Sequence, residues 1–273
     1  MKLLLIGNGA WGQNYVKEIK ANFKDVNLTI ATRENWKDLI DQEPDGVIIA
    51  TPPDSHLEIA LYVLEKNIPV LLEKPAVLSS FEIEKLRPYQ ENLVVNYIHL
   101  HNDKYKNIKS LIYNENITHI TTNGQGPCNR VNYSGLWDYG PHDLSMILDL
   151  SNKIPYQVEC RKLKDHSSYD LFIINLTFDT FKSTSMVGFN VSKSRNIDIE
   201  TDNMSVYYSD VGVDHKMTPL NNAIYYFMSF IDHYYCDYEK LNLLYGFELS
   251  VNVTKILEAC EESLAKQSII NIR

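Results

Sequence analysis

The sequence predicts an α/β chain. A doubly wound parallel sheet fills roughly the first hundred residues, and an α+β unit with an open, mainly antiparallel sheet follows. Three observations predict this. Short apolar runs alternate with amphipathic stretches up to about Lys104. A glycine triplet separates the first run from the first amphipathic stretch. Beyond Lys104 the rhythm changes to longer segments of alternating polarity.

The first half reads element by element. "KLLLI" is a short buried strand, and "AWGQNYVKEIKANF" is a helix with Trp11, Tyr15, Val16 and Ile19 on one side. "LTIAT" is the second strand, and "NWKDLIDQ" is a short helix stopped by Pro44. "DGVIIAT" is a third strand whose continuous β-branched run suits a sheet covered on both faces. "SHLEIALYVLEKN", "PVLLEK", "SFEIEKLRPY" and "NLVVNYI" continue the alternation as helix, strand, helix and strand. Right-handed crossovers then gather the strand carboxyl ends on one edge, where ligands bind.

After Lys104 a helix runs through "KYKNIKSLIY". Next come "ITHITTNG", a glycine-punctuated loop and a helix in "PHDLSMILDL". "YQVECRKL", "YDLFIINLTFDT", "SMVGFNVS", "NIDIET" and "MSVYYSD" read as antiparallel strands. The tail holds helices in "NNAIYYFMSFIDHYY" and "GFELSVNVTKILEACEESLAKQ", then a short "IINI". This places a dinucleotide-binding domain at 1–115 and an α+β domain for substrate and oligomerisation at 116–273. A broad open sheet face predicts a homo-oligomer, a dimer or tetramer.

"LIGNGAWGQN" sets Gly7, Gly9 and Gly12 in G-x-G-x-x-G spacing, with a strand before and a helix after. Gly7 permits the tight turn, Gly9 lets backbone approach a pyrophosphate, and Gly12 allows close helix–strand packing. Asn8, Ala10 and Trp11 complete the loop, and backbone N–H groups at the helix start face the phosphates. This is the fingerprint of a Rossmann domain. The second strand ends at Thr32 and Arg33, where an NAD-preferring fold places an acid. A guanidinium suits a 2′-phosphate, so NADP is slightly preferred over NAD. Glu34 competes, because it accepts from a 2′-hydroxyl if the strand ends one residue later.

Three further motifs carry chemistry. "ATPPDSH" ends the third strand; Pro52 and Pro53 fix an extended turn after Thr51, Asp54 or Ser55 caps the next helix, and His56 falls in its first turn. "EKP" puts Glu73 and Lys74 at the carboxyl end of the fourth strand, on the ligand edge. "WDYGPHDL" places Pro141 at helix position N1 with Gly140 as cap. His142 then lies in the first turn, where the dipole disfavours imidazolium, with Asp138 just outside. Taken singly, each motif also has a structural reading: a rigid corner, a surface lysine, a buried histidine with a capping aspartate.

Together the four motifs resemble the Gfo/Idh/MocA oxidoreductases. The glycine triplet, "VIIATPPDSH", "EKP" and the D-x-x-x-H of Asp138 and His142 follow that family's order and spacing, and "KILEACEESLAKQ" resembles its closing helix. Asn96 also fits, but the arginine usual after it is missing, and His99 and His101 stand there instead. The second domain is short for the family. The resemblance implies hydride transfer between a nicotinamide and a carbon bearing a hydroxyl or carbonyl. It implies cofactor contacts from Thr51, Pro52, Pro53, His56, Glu73, Lys74 and Asn96 beside the glycine loop. Lys74, His142 and Asp138 are the implied catalytic set, with the proton shared in an unspecified way between Lys74 and His142. "GPCNRVNYSGLWDYG" offers Arg130, Tyr133 and Trp137 to a sugar, a cyclitol or a nucleotide-linked sugar, or serves only as packing between domains. A non-catalytic dinucleotide-binding sensor of the same fold is the alternative.

Bulk properties bound these readings. A net charge of −9 argues against a nucleic-acid binder, which needs a basic face. Cys128, Cys160, Cys236 and Cys260 are far apart with no C-x-x-C pair, so neither a metal site nor a disulfide framework is expected. "MKLLLIG" stops too early for a leader and reads as a strand, and no run approaches the ~20 apolar residues of a membrane span. A cytoplasmic protein without membrane partners is expected.

Overall fold

The computed structural model describes residues 1–127, 134–163, 170–190, 192–210, 218–234 and 246–272. It divides into two compact units, Met1–His101 with Met217–Val251, and Asn102–Lys216 with Asn252–Arg273.

The first unit is built on five parallel strands: β1 (Lys2–Ile6), β2 (Asn27–Ala31), β3 (Gly46–Ile49), β4 (Val70–Glu73) and β5 (Leu93–Asn96). Their order in the sheet is β2-β1-β3-β4-β5. Helices α1 (Ala10–Asn22), α2 (Trp36–Ile40), α3 (His56–Leu64) and α4 (Ser80–Leu86) connect them. Every residue of β3, β4 and β5 is buried, as their apolar runs require, with Glu73 and Asn96 as polar residues at the ends of β4 and β5. Leu3, Leu5, Ile48, Leu71 and Val94 form one core with Tyr15, Val16 and Ile19 of α1.

Helix α7 (Pro219–Tyr234) adds Leu220, Ile224, Phe227, Phe230 and Ile231 to that core. Each such side chain contributes about 1.5–3 kcal/mol when fully buried. Gly46 makes room for it: a methyl there would fall on Ile231 and lie 3.1 Å from Phe227. After β5 the chain makes a 3₁₀ turn, Ile98–His101. Asn222 of α7 donates to the His101 carbonyl at 2.9 Å, and Tyr226 packs against the His101 ring.

The second unit carries seven strands: β6 (Ile117–Gly126), β7 (Gln157–Lys162), β8 (Asp170–Thr177), β9 (Lys182–Phe189), β10 (Ser194–Thr201), β11 (Ser205–Ser209) and β12 (Ile270–Asn271). Their order is β11-β10-β6-β9-β8-β7-β12. All pairs are antiparallel except β6 with β9. Burial alternates along β8 and β10, so one face is inward and one outward. Helix α5 (Asp103–Leu111) packs by β11, and α6 (Gly135–Ser151) lies across β6, β8 and β9. Helix α8 (Phe247–Lys266) begins in the first unit's residues and ends in the second's. Its Ser263 hydroxyl accepts from the Cys160 N–H and donates to the Ser268 carbonyl.

One boundary departs from the sequence reading. Pro141 does not open a helix; it is the seventh residue of α6. Ser134 caps that helix, accepting from the Leu136 N–H at 3.2 Å, and Asp138 lies inside the first turn. His142 therefore sits in the helix interior, beyond the reach of the N-terminal dipole.

Candidate nicotinamide-cofactor site

Strand order reverses at β1, which has β2 on one side and β3 on the other. The carboxyl ends of β1 and β3 then flank the switch point, the usual ligand position of an open parallel sheet. Gly7 ends β1 with φ +107°, and a methyl there would stand 2.5 Å from the Ala50 carbonyl carbon and oxygen and 2.8 Å from the Thr51 nitrogen. A methyl on Gly12 would fall on the Gly7 carbonyl oxygen. At Gly9 nothing lies within 4 Å. Packing within the protein explains the first two glycines but not the third.

Gly9 is also the N-cap of α1, with no side-chain capping bond and no acid in the first turn. The free N–H groups of that turn and the dipole behind them fit an anion. Asn8, Gly9 and Ala10 are exposed around it, so the loop fits a dinucleotide's diphosphate. At the end of β2, the Thr32 N–H and hydroxyl both donate to Asn35 Oδ1, at 2.7 and 2.9 Å. This turn leaves Arg33 and Glu34 side by side in solvent.

Further along the edge, four predicted contacts bind one another. Glu73 Oε1 accepts from Trp11 Nε1 at 2.6 Å, Tyr15 Oη at 2.6 Å and Asn96 Nδ2 at 2.8 Å, while Oε2 accepts from the Lys74 N–H at 3.2 Å. Asn96 Nδ2 also donates to Tyr15 Oη, and Asn96 Oδ1 is buried without a hydrogen-bond partner among the described residues. Burial and the Glu73 charge push the Tyr15 phenol well above its usual range. One carboxylate thus ties α1 to the ends of β4 and β5, and fixes the backbone that carries Lys74. Sequence reasoning missed Tyr15, although it lies one helical turn after Trp11.

His56, read as a cofactor contact, is fully buried and braces two loops. Its Nδ1 faces the Pro75 carbonyl and its Nε2 the Thr51 carbonyl, both at 2.9 Å. A neutral ring donates to only one of them. Burial lowers its pKa, and the two carbonyls work against that shift. The imidazole joins the Thr51–Pro52–Pro53 turn to the Lys74–Pro75 turn, so the edge is braced from beneath. Ser55 does not cap α3; its hydroxyl donates back to the Pro52 carbonyl and is hydrogen-bonded to the Thr51 hydroxyl, both at 2.8 Å.

In the second unit, Asp138 and His142 stand one turn apart on the same face of α6, both half-buried. Trp137, read as a substrate contact, is 5% exposed, and its indole N–H donates to Glu261 of α8 at 2.8 Å. That side chain packs inside its own unit. Arg130 and Tyr133 lie outside the described residues. Among the described residues there is no acid, histidine and cysteine cluster able to hold a metal, and no helix long and apolar enough to cross a membrane.

A family model described as "Oxidoreductase family, NAD-binding Rossmann fold", that of Gfo/Idh/MocA, matches residues 15–93. No curated protein matches the chain. Among solved structures, one from Magnetospirillum magnetotacticum agrees with a TM-score of 0.83 at 22% identity, over 95% of this chain and 99% of that one. A scyllo-inositol dehydrogenase from Lactobacillus casei, with bound NAD(H) and scyllo-inositol, agrees at 0.82 with 15% identity, over 100% and 99%. A myo-inositol dehydrogenase from Corynebacterium glutamicum agrees at 0.82 with 16% identity, over 100% and 99%. At these identities the agreement is one of fold. Residues 15–93 thus match the NAD-binding Rossmann-fold model of that family, and the chain as a whole shares its fold with these structures.

Proposed function

We propose that this chain is an oxidoreductase that moves a hydride between a nicotinamide and the hydroxyl- or carbonyl-bearing carbon of a polyol or sugar. The observation that carries the reading is the Glu73 hub. It presents Lys74 on the same sheet edge as a glycine loop whose middle residue faces open space. Bound on that loop, the cofactor supplies or accepts the hydride. The chain's own residues do the rest. The Lys74 ammonium donates to the reacting oxygen and steadies negative charge there. His142 takes the hydroxyl proton in oxidation and returns it in reduction, and Asp138, one turn before it, orients the ring or holds a neighbouring hydroxyl. A cyclitol is the first substrate to try, because inositol dehydrogenases share the fold. Free sugars and nucleotide-linked sugars come next.

The test is a polyol and sugar panel with NAD and NADP, run on wild type, Lys74→Ala and His142→Ala. Each variant is expected to lose about 10²–10⁴-fold in turnover. Both should still quench or shift NAD(P)H fluorescence on binding. Near-normal turnover in both variants ends the assignment.

The finer cofactor reading gives NADPH a slight advantage, through the exposed Arg33 guanidinium on a 2′-phosphate. Arg33→Ala should then weaken NADPH at least about tenfold, in line with a charge-assisted contact, and leave NADH unchanged. Equal losses for both cofactors would give the position to Glu34 or to neither. The outward face of the second sheet, where Thr121, Asp198 and Glu200 are exposed, is the proposed self-association surface.

A further inference from the structure

The second unit contains a buried ion pair that the mechanism above does not use. Arg195 Nη1 of β10 donates to Asp143 Oδ2 of α6, with side-chain exposures of 5% and 0%. Stability alone is a weak reason for such a pair. Desolvating both charges costs several kcal/mol, and well-packed apolar side chains often do as well.

The surroundings are shaped around it. A methyl on Gly124, the β6 residue in register with Arg195, would fall on Asp143 Oδ2 and lie 2.5 Å from Arg195 Nη1. Two positions on, a methyl on Gly126 would fall on the Tyr139 hydroxyl. The Tyr139 ring in turn stands 5.8 Å from the guanidinium carbon and edge-on to Phe189 of β9. The start of α6 is held separately: the Gly135 N–H donates to Asp170 Oδ2 at 2.6 Å. So the space of two missing β6 side chains receives a carboxylate and a phenol from α6, with the guanidinium coming from β10.

The helical step of about 100° per residue then matters. Asp138 and His142 are about 40° apart around α6, whereas Asp143 is about 100° from His142. Drawing Asp143 fully into the sheet leaves the other two on the half-buried flank, where they are found. We propose that the Asp143–Arg195 pair, seated in the space left by Gly124, sets the rotation of α6 and thereby places Asp138 and His142. Both are positioning residues, and the inference rests on the proposed proton roles of Asp138 and His142.

The test uses the whole chain. An Asp143→Leu/Arg195→Met double variant replaces the pair by apolar groups and should fold. Its NAD(H) affinity should match wild type, since the proposed cofactor loop lies in the other unit. The ring NMR signals of His142, assigned with His142→Gln, should move, while those of His119 on β6 stay. Turnover on the substrate found by the panel should fall about 10–100-fold, the scale of a misplacement near 1 Å, with cofactor binding intact. Unmoved His142 signals and wild-type turnover in the folded double variant overturn the inference. If that variant does not fold, Arg195→Lys, which keeps a cation but not the planar fork, decides by the same two readouts. Normal turnover in His142→Ala would instead remove the proposed function beneath it.

Discussion

At Gly7 a methyl group meets the Ala50 carbonyl, at Gly12 it meets the Gly7 carbonyl oxygen, and at Gly9 it meets nothing. Substitution should separate these roles. Gly7→Ala combines a strained positive φ with a backbone collision, and is expected to cost about 2 kcal/mol or more of stability. Gly9 has an ordinary extended conformation, φ −74° and ψ −171°, so Gly9→Ala should cost no more than about 1 kcal/mol as an altered N-cap. Its methyl would nonetheless stand where a diphosphate must approach the backbone. NAD(H) affinity should fall at least about tenfold, read by fluorescence titration beside a urea melt. A Gly9→Ala protein that binds as wild type would show that the loop does not hold the phosphates. The packing roles of Gly7 and Gly12 were legible in the spacing, because each follows from local backbone geometry. The Glu73 hub was not. Its bonds join residues 62, 58 and 23 positions apart, and no local pattern says that Trp11, Tyr15 and Asn96 converge on one oxygen.

Among elements, strands were easier to read than helix ends. The runs at Leu3–Ile6, Val47–Ile49 and Val70–Leu72 are wholly apolar because both faces of their sheet are covered, and such runs have one reading in an alternating chain. In α6 two start signals compete. Gly140–Pro141 is a valid opening, but Ser134 with Asp138 in the first turn is an earlier one, and the fold uses it. Pro141 then sits inside the helix and withholds an N–H from the Trp137 carbonyl. The shift matters to chemistry. Asp138 and His142 become neighbours on one helical face rather than a loop residue and a first-turn residue. The inward arginine of β10 also had a signal, since Arg195, Ile197 and Ile199 share one side of an alternating strand. Its partner Asp143, on a helix far away in sequence, did not. Helix α7 shows the same limit: its amphipathic pattern announces a buried face, and only the fold says that Leu3, Leu5 and Ile48 cover it.

For the whole molecule, the 18 tyrosines make alkaline pH the informative stress. Burial, joined by the Glu73 charge, raises the pKa of Tyr15, and burial raises that of Tyr97 despite a bond to Ser250. Tyr208 is raised by burial and by the Asp210 carboxylate beside it, and Tyr226 is raised by burial to about 12. In the unfolded chain these phenols lose their protons near pH 10. Above that pH the folded state binds more protons than the unfolded state, so stability falls as pH rises. The contribution is whole below pH 10, and for Tyr226 it is lost between 10 and about 12. The other three continue the decline. Each fully shielded phenol removes at most about 1.4 kcal/mol per pH unit. Three of the four, Tyr15, Tyr97 and Tyr226, belong to the first unit, so that unit should yield first. Urea melts between pH 9 and about 11.5, bracketing the usual tyrosine pKa near 10, should show midpoints dropping only above that value. Loss of NAD(H) fluorescence should precede unfolding of the second unit, and the share of tyrosinate absorbance that comes from the buried phenols should appear only with unfolding. A midpoint that stays level through this range, or tyrosinate appearing for all 18 phenols in the folded protein, would mean that these rings are far more open to solvent than their packing implies.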